Sequence, residues 1–116
     1  MTAIEIAWRD LSAHCVCVGN VSLTCLGDKR WSAPASDGAL GLRHQGRGPR
    51  IFATDFPACT AGGVVIAHSD GVPHRKVHRN GLVHEIRRDP LLAGITMIAE
   101  DLERHDDSTV LLVLPP

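Results

Sequence analysis

Two acidic sites in this 116-residue chain could do chemistry. Asp70 closes the run Val64-Val65-Ile66-Ala67-His68-Ser69 and precedes Gly71, while Asp106 and Asp107 stand just ahead of the apolar run from Thr109 to Leu114. A carboxylate at the end of a strand has its Cα held by the sheet, so it can address a cation with little reorganisation. Two such groups on neighbouring central strands could share a hard divalent ion such as Mg²⁺ or Mn²⁺. The same residues also spell common turns, Asp-Gly and Asp-Asp-Ser, and spacing alone leaves that reading open.

Other reactive side chains point less sharply. His68, His74, His78 and His84 gather around Asp70 in the sequence, which raises a transition-metal site. The segment holding His74 and His78 has no clear period, so solvated loop histidines are the simpler reading. Ser69 lacks the Gly-x-Ser-x-Gly elbow of a hydrolase nucleophile, and Gly46-Arg47-Gly48 lacks the Lys and Ser/Thr of a phosphate loop. Cys15, Cys17, Cys25 and Cys59 show no zinc spacing and read as reduced, small apolar side chains. Trp8 and Trp31 read as packing residues.

The elements that must position these groups follow from periodicity. Ile4, Ile6 and Trp8 alternate with polar residues and predict a strand. His14 to Val18 and Val21 to Leu26 predict two more, separated by a turn at Gly19-Asn20. Lys29 to Pro49 reads mainly as loop, with a short strand near Trp31 and a hairpin at Ser36-Asp37-Gly38. Ile51 to Phe56 predicts another strand. Val64 to Ala67, apolar and β-branched, predicts a buried central one. Val72 to Arg88 predicts at most one irregular helical turn. Asp89-Pro90, a cap and a favoured first helical residue, opens a helix running to about His105. Leu91, Leu92, Ile95, Ile98, Ala99 and Leu102 form its apolar stripe. Thr109 to Leu114 is the last strand. Strands cluster rather than alternate with helices, so the fold class is α+β: one domain over 1–116, a mainly antiparallel sheet under one long helix.

Composition excludes several functions. Twelve basic against 13 acidic side chains argue against a partner held by charge, such as nucleic acid or an anionic membrane. No apolar stretch approaches the ~20 residues that cross a bilayer. Met1 to Asp10 lacks the order of a signal peptide, so a cytoplasmic protein is expected.

Taken in order, Val18-Gly19-Asn20, Val64 to Val72 with its Ser69-Asp70-Gly71, and Asp106-Asp107-Ser108-Thr109-Val110 resemble the later motifs of PPM-type serine/threonine phosphatases. The likeness is to the small bacterial SpoIIE- and RsbX-like members and covers roughly Leu11 to Pro116. It implies part of a β-sandwich flanked by helices, with a two-cation Mn²⁺ or Mg²⁺ centre, and a place in bacterial stress or sigma-factor signalling. In that family a cation-bridging water attacks the phosphorus of phosphoserine or phosphothreonine. By the resemblance Asp70 and Asp106 are metal ligands. Gly71, Asp107 and Asn20 are supporting residues: Asp107 bonds nearby backbone amides and Asn20 makes a turn near the site. No side chain is assigned a separate catalytic role.

The departure from the family is large. Its earlier motifs, an upstream acidic residue and Asp-Gly-x-Gly-His, should precede Leu11, where only ten residues stand. Ser36-Asp37-Gly38-Ala39-Leu40-Gly41 has no Gly-His and sits in a loop-rich interval. The chain therefore reads as a C-terminal half, with an incomplete metal centre and little activity alone. Two functions follow: a phosphatase acting on a phosphoprotein, completed by ligands from elsewhere, or a non-catalytic module that binds a regulatory protein. Half a sandwich leaves apolar surface, which predicts self-association.

Overall fold

The computed structural model describes the backbone of residues 2–7, 12–17 and 52–56, and backbone and side chains of 21–33, 62–99 and 107–114. Among the described residues the elements run in the order β1 (Thr2–Ala7), β2 (Ser12–Cys17), β3 (Val21–Leu26), β4 (Trp31–Ser32), β5 (Phe52–Phe56), β6 (Val64–Ser69), α1 (His74–Val77), α2 (Leu82–Arg88), α3 (Pro90–Ala99) and β7 (Val110–Val113). The strands form two antiparallel sheets, one in the order β1-β2-β5 and one in the order β4-β3-β6-β7. The α+β class and the antiparallel pairing follow the sequence reading. The predicted hairpin at 36–38 lies outside the described residues.

The four-stranded sheet is organised around β6. Val65 and Ala67 join Leu23 and Cys25 on one face, with Trp31, Ala33 and Val113 packed against them. Val64 and Ile66 face the other way, into a larger core with Val72, Val77, Leu82, Ile86, Ala93 and Met97. A strand covered on both faces must be apolar at every position, which is why Val64 to Ala67 shows no alternation. β3 pairs with it from Val21↔Ser69 to Leu26↔Val64, and β7 from Val65↔Val113 to His68↔Val110.

The helices differ from the sequence reading in two ways. Val72 to Arg88, expected to hold one irregular turn, forms both α1 and α2. Their buried apolar side chains are Val77, Leu82 and Ile86, too few and too widely spaced for periodicity to reveal amid the surrounding His and Arg. Tertiary contacts hold these short helices, since so few residues do not sustain a helix alone. Arg87 donates from Nε to the Gly62 carbonyl at 2.6 Å, and the buried Lys76 donates to the Met97 carbonyl at 3.2 Å, tying α2 to the turn before β6 and α1 to α3.

The second difference concerns which side of α3 is buried. Its start is as expected: Asp89 Oδ1 accepts from the Leu92 N–H at 2.9 Å, ahead of Pro90. Yet the first part of the predicted stripe faces outward, with Leu91, Leu92 and Ile95 exposed at 72%, 59% and 53%; Ile98 is half-buried, and Leu102 lies outside the described residues. Ala93 and Met97 are the buried residues, and Gly94 lies 3.8 Å from the Leu112 side chain, measured from where its Cβ would be. Small residues let the helix approach β7 closely, and that approach decides the buried face. The helix is described to Ala99; the expected continuation to His105 lies outside the described residues.

Candidate functional site

The acidic turns meet at the end of β6. The Ser69 N–H donates to the Thr109 carbonyl at 3.1 Å, carrying the β6–β7 ladder one step further. The Ser69 hydroxyl then donates to the Asp107 carbonyl at 3.2 Å and accepts from the Thr109 N–H at 3.0 Å. One side chain thus clamps the Ser-Asp-Gly turn to the Asp-Ser-Thr segment. Gly71 completes the junction. A Cβ there would fall 2.6 Å from Ser108 Oγ and 2.7 Å from the Asp107 carbonyl oxygen. The residue is glycine because another stretch of backbone crosses it within contact distance.

Asp70 sits in this turn and is exposed, as is Asp107. Of the residues singled out by sequence, the fold therefore brings together Asp70, Gly71 and Asp107. Asp106 and Asn20 lie outside the described residues. The donors at the junction are carboxylate and carbonyl oxygens, the chemistry that suits Mg²⁺ or Mn²⁺. Among the described residues no group of three or more His, Cys, Asp or Glu is placed to hold a metal ion. Ser69, set aside as a nucleophile, has a positioning role that its sequence context did not signal.

The histidines do not behave as solvated loop residues throughout. His68 lies on β6, is 5% exposed, and places Nδ1 2.9 Å from the Ser69 carbonyl. Its Nε2 is buried without a hydrogen-bond partner among the described residues. His74 and His78 stack with ring centroids 3.7 Å apart and planes tilted by 31°. His78 is held below its ordinary pKa of 6.5, first by burial and then by the positive charge of His74, Arg30 and His68 nearby. His74 and His84 are exposed, as expected. Cys25 is disulfide-bonded, which corrects the reading of four reduced thiols. Trp31 packs against the sheet as foreseen.

No family model matches the sequence, and no curated protein does. The fold, however, has solved relatives in shape. One is the phosphatase domain of SpoIIE, described as a cell fate determinant, from Bacillus subtilis. It superposes with a TM-score of 0.61 at 20% identity over 97% of this chain. Another comes from work on the bacterial stressosome, described as a modular system adapted to control secondary messenger signaling. That one gives a TM-score of 0.63 at 16% identity over 96% of this chain. The chain spans 53% and 55% of those two structures, about half of each. At such identities the likeness is one of fold alone. No helix among the described residues is long and apolar enough to cross a membrane.

Proposed function

We propose that this chain supplies one half of a metal-dependent phosphoserine/phosphothreonine phosphatase centre of the SpoIIE-like kind, with Asp70 and Asp106 as its cation ligands. The observation that carries the reading is the junction built by Ser69 and Gly71. It holds the turn bearing Asp70 against the segment that begins next to Asp106, in a fold shared with half of a known phosphatase domain. Mn²⁺ or Mg²⁺ bound there would neutralise phosphoryl oxygens and lower the pKa of a bound water. The chain's own part is to fix the carboxylates: Ser69 binds both sides of the junction, and Gly71 removes the side chain that would force it apart.

Two carboxylates hold Mg²⁺ weakly, because the ion keeps its waters unless several fixed ligands compete. Turnover of a phosphoserine peptide by this polypeptide with Mn²⁺ is therefore expected near background. Robust Mn²⁺-dependent turnover that Asp70→Asn abolishes would overturn the view that the centre is incomplete.

A second reading, a partner-binding module in bacterial stress or sigma-factor signalling, is favoured by the outward face of α3. Leu91, Leu92 and Ile95 present apolar side chains to solvent, the kind of surface that marks protein contacts. A regulatory protein or a second copy of the chain would cover it. The two readings are compatible, since a centre short of ligands needs a partner to complete it.

A further inference from the structure

At the other end of the four-stranded sheet, the turn after β3 and the α1–α2 junction enclose a depression of about 410 Å³. Its lining includes Leu26, Asp28, Arg30, Arg79, Asn80 and Leu82. Val21 pairs with Ser69 and Leu26 with Val64. The length of β3, about 17 Å at ~3.4 Å per residue, therefore separates Leu26 from the acidic junction.

The two arginines enter this pocket from different elements. Arg30 donates one Nη–H to the His78 carbonyl at 3.1 Å, and a guanidinium has five N–H donors in all. Arg79 pairs with Glu85 through Nη2. Its Nε, however, is buried and has no acceptor among the described residues. That Nε is closed to solvent, so Arg79 would meet a ligand through the Nη–H donors that its bond to Glu85 leaves over.

We propose that this pocket is an oxyanion site that takes a phosphate group between Arg30 and Arg79. Two planar forks reaching in from separate elements call for an anion with acceptor oxygens on more than one side, which tetrahedral phosphate has. Gly81, at φ 80°, leaves the edge of the pocket free of a side chain, and nothing lies within 4 Å of where its Cβ would be. Asp28 opposes an anion and weakens the site. The phosphate is either free or carried as a phosphomonoester, since both present the same oxygens. The pocket is separate from the cation reading, because its lining shares no residue with the acidic junction.

The test is a titration of the full chain with inorganic phosphate and, separately, with O-phosphoserine. EDTA is present, chloride balances ionic strength, and thermal stability and backbone amide resonances are followed. Each ligand that binds is expected to raise the melting temperature saturably and to shift amides in 27–30 and 79–83. A response to only one of the two identifies the source. Arg30→Gln and Arg79→Gln should each weaken binding about tenfold, the loss of one hydrogen bond to a charged group. Arg79→Lys keeps the charge but loses the planar fork, and should weaken it too. Asp28→Asn should tighten binding, a gain that misfolding cannot imitate. Asp70→Asn should leave binding unchanged, so failure of the cation reading would be seen separately. No saturable response to either ligand overturns the proposal. So does a response that the arginine variants leave intact, or amide shifts confined to the Asp70–Asp107 junction.

Discussion

Ser69 and Gly71 matter because each serves two chain segments at once. Replacing Ser69 by Ala removes a bond to the Asp107 carbonyl and another from the Thr109 N–H. At about 0.5–1.5 kcal/mol net for each bond, Ser69→Ala is expected to lower stability by ~1–3 kcal/mol in denaturant unfolding. Gly71→Ala places a methyl group against Ser108 Oγ and the Asp107 carbonyl, and such overpacking costs about 1–3 kcal/mol. Unchanged unfolding midpoints in both variants would mean that the junction is not formed as described. His78 makes a different prediction. Its pKa is lowered from 6.5 by burial and by His74, Arg30 and His68, so below pH 6.5 the unfolded chain binds a proton more readily than the folded one. Stability should therefore be at its full value above 6.5, fall as pH drops from there toward the lowered value, and lose nothing further from this group below it. In pH-dependent melting, His78→Gln should flatten that slope, and an unaltered slope would contradict the assignment.

Strands were more legible than helices, for reasons particular residues display. Val64 to Ala67 announces a central strand because both of its faces are covered, and Pro57 and Gly62-Gly63 delimit the strands on either side. The Asp89-Pro90 start of α3 was equally plain, since a cap is a local event. α1 and α2 were not, because Val77, Leu82 and Ile86 become a pattern only when the sheet is beneath them. Periodicity revealed a stripe on α3 but could not say which side the sheet would take. The close packing of Ala93 and Gly94 settled that. The consequence is measurable. Leu92→Ser and Ile95→Ser are expected to leave stability within about 0.5 kcal/mol of the parent, whereas Met97→Ala should cost ~2–5 kcal/mol. In sedimentation the parent should self-associate and the two Ser variants should not. A monomeric parent at high concentration would remove the outer face of α3 as a contact surface.

For the molecule as a whole, the candidate site was half legible. Family resemblance and their places at strand ends put Asp70 and Asp106 close together. Asp106 lies outside the described residues, and what the structure shows is the turn of Asp70 held against the Asp107 carbonyl. The clamp that enforces it, Ser69, gave no signal in the sequence, because a serine before Asp-Gly is ordinary in any turn. The fold spans about half of each solved structure it superposes on, and the described oxygen donors fall short of a closed cation site. The most direct test is Mn²⁺ titration of the isotopically labelled chain, with paramagnetic broadening of each amide as the readout. Broadening should centre on Asp70, Gly71 and residues 107–109, and Asp70→Asn should abolish it. Broadening centred on His74 and His78 instead, or unaffected by Asp70→Asn, would contradict the assignment of Asp70 as a cation ligand.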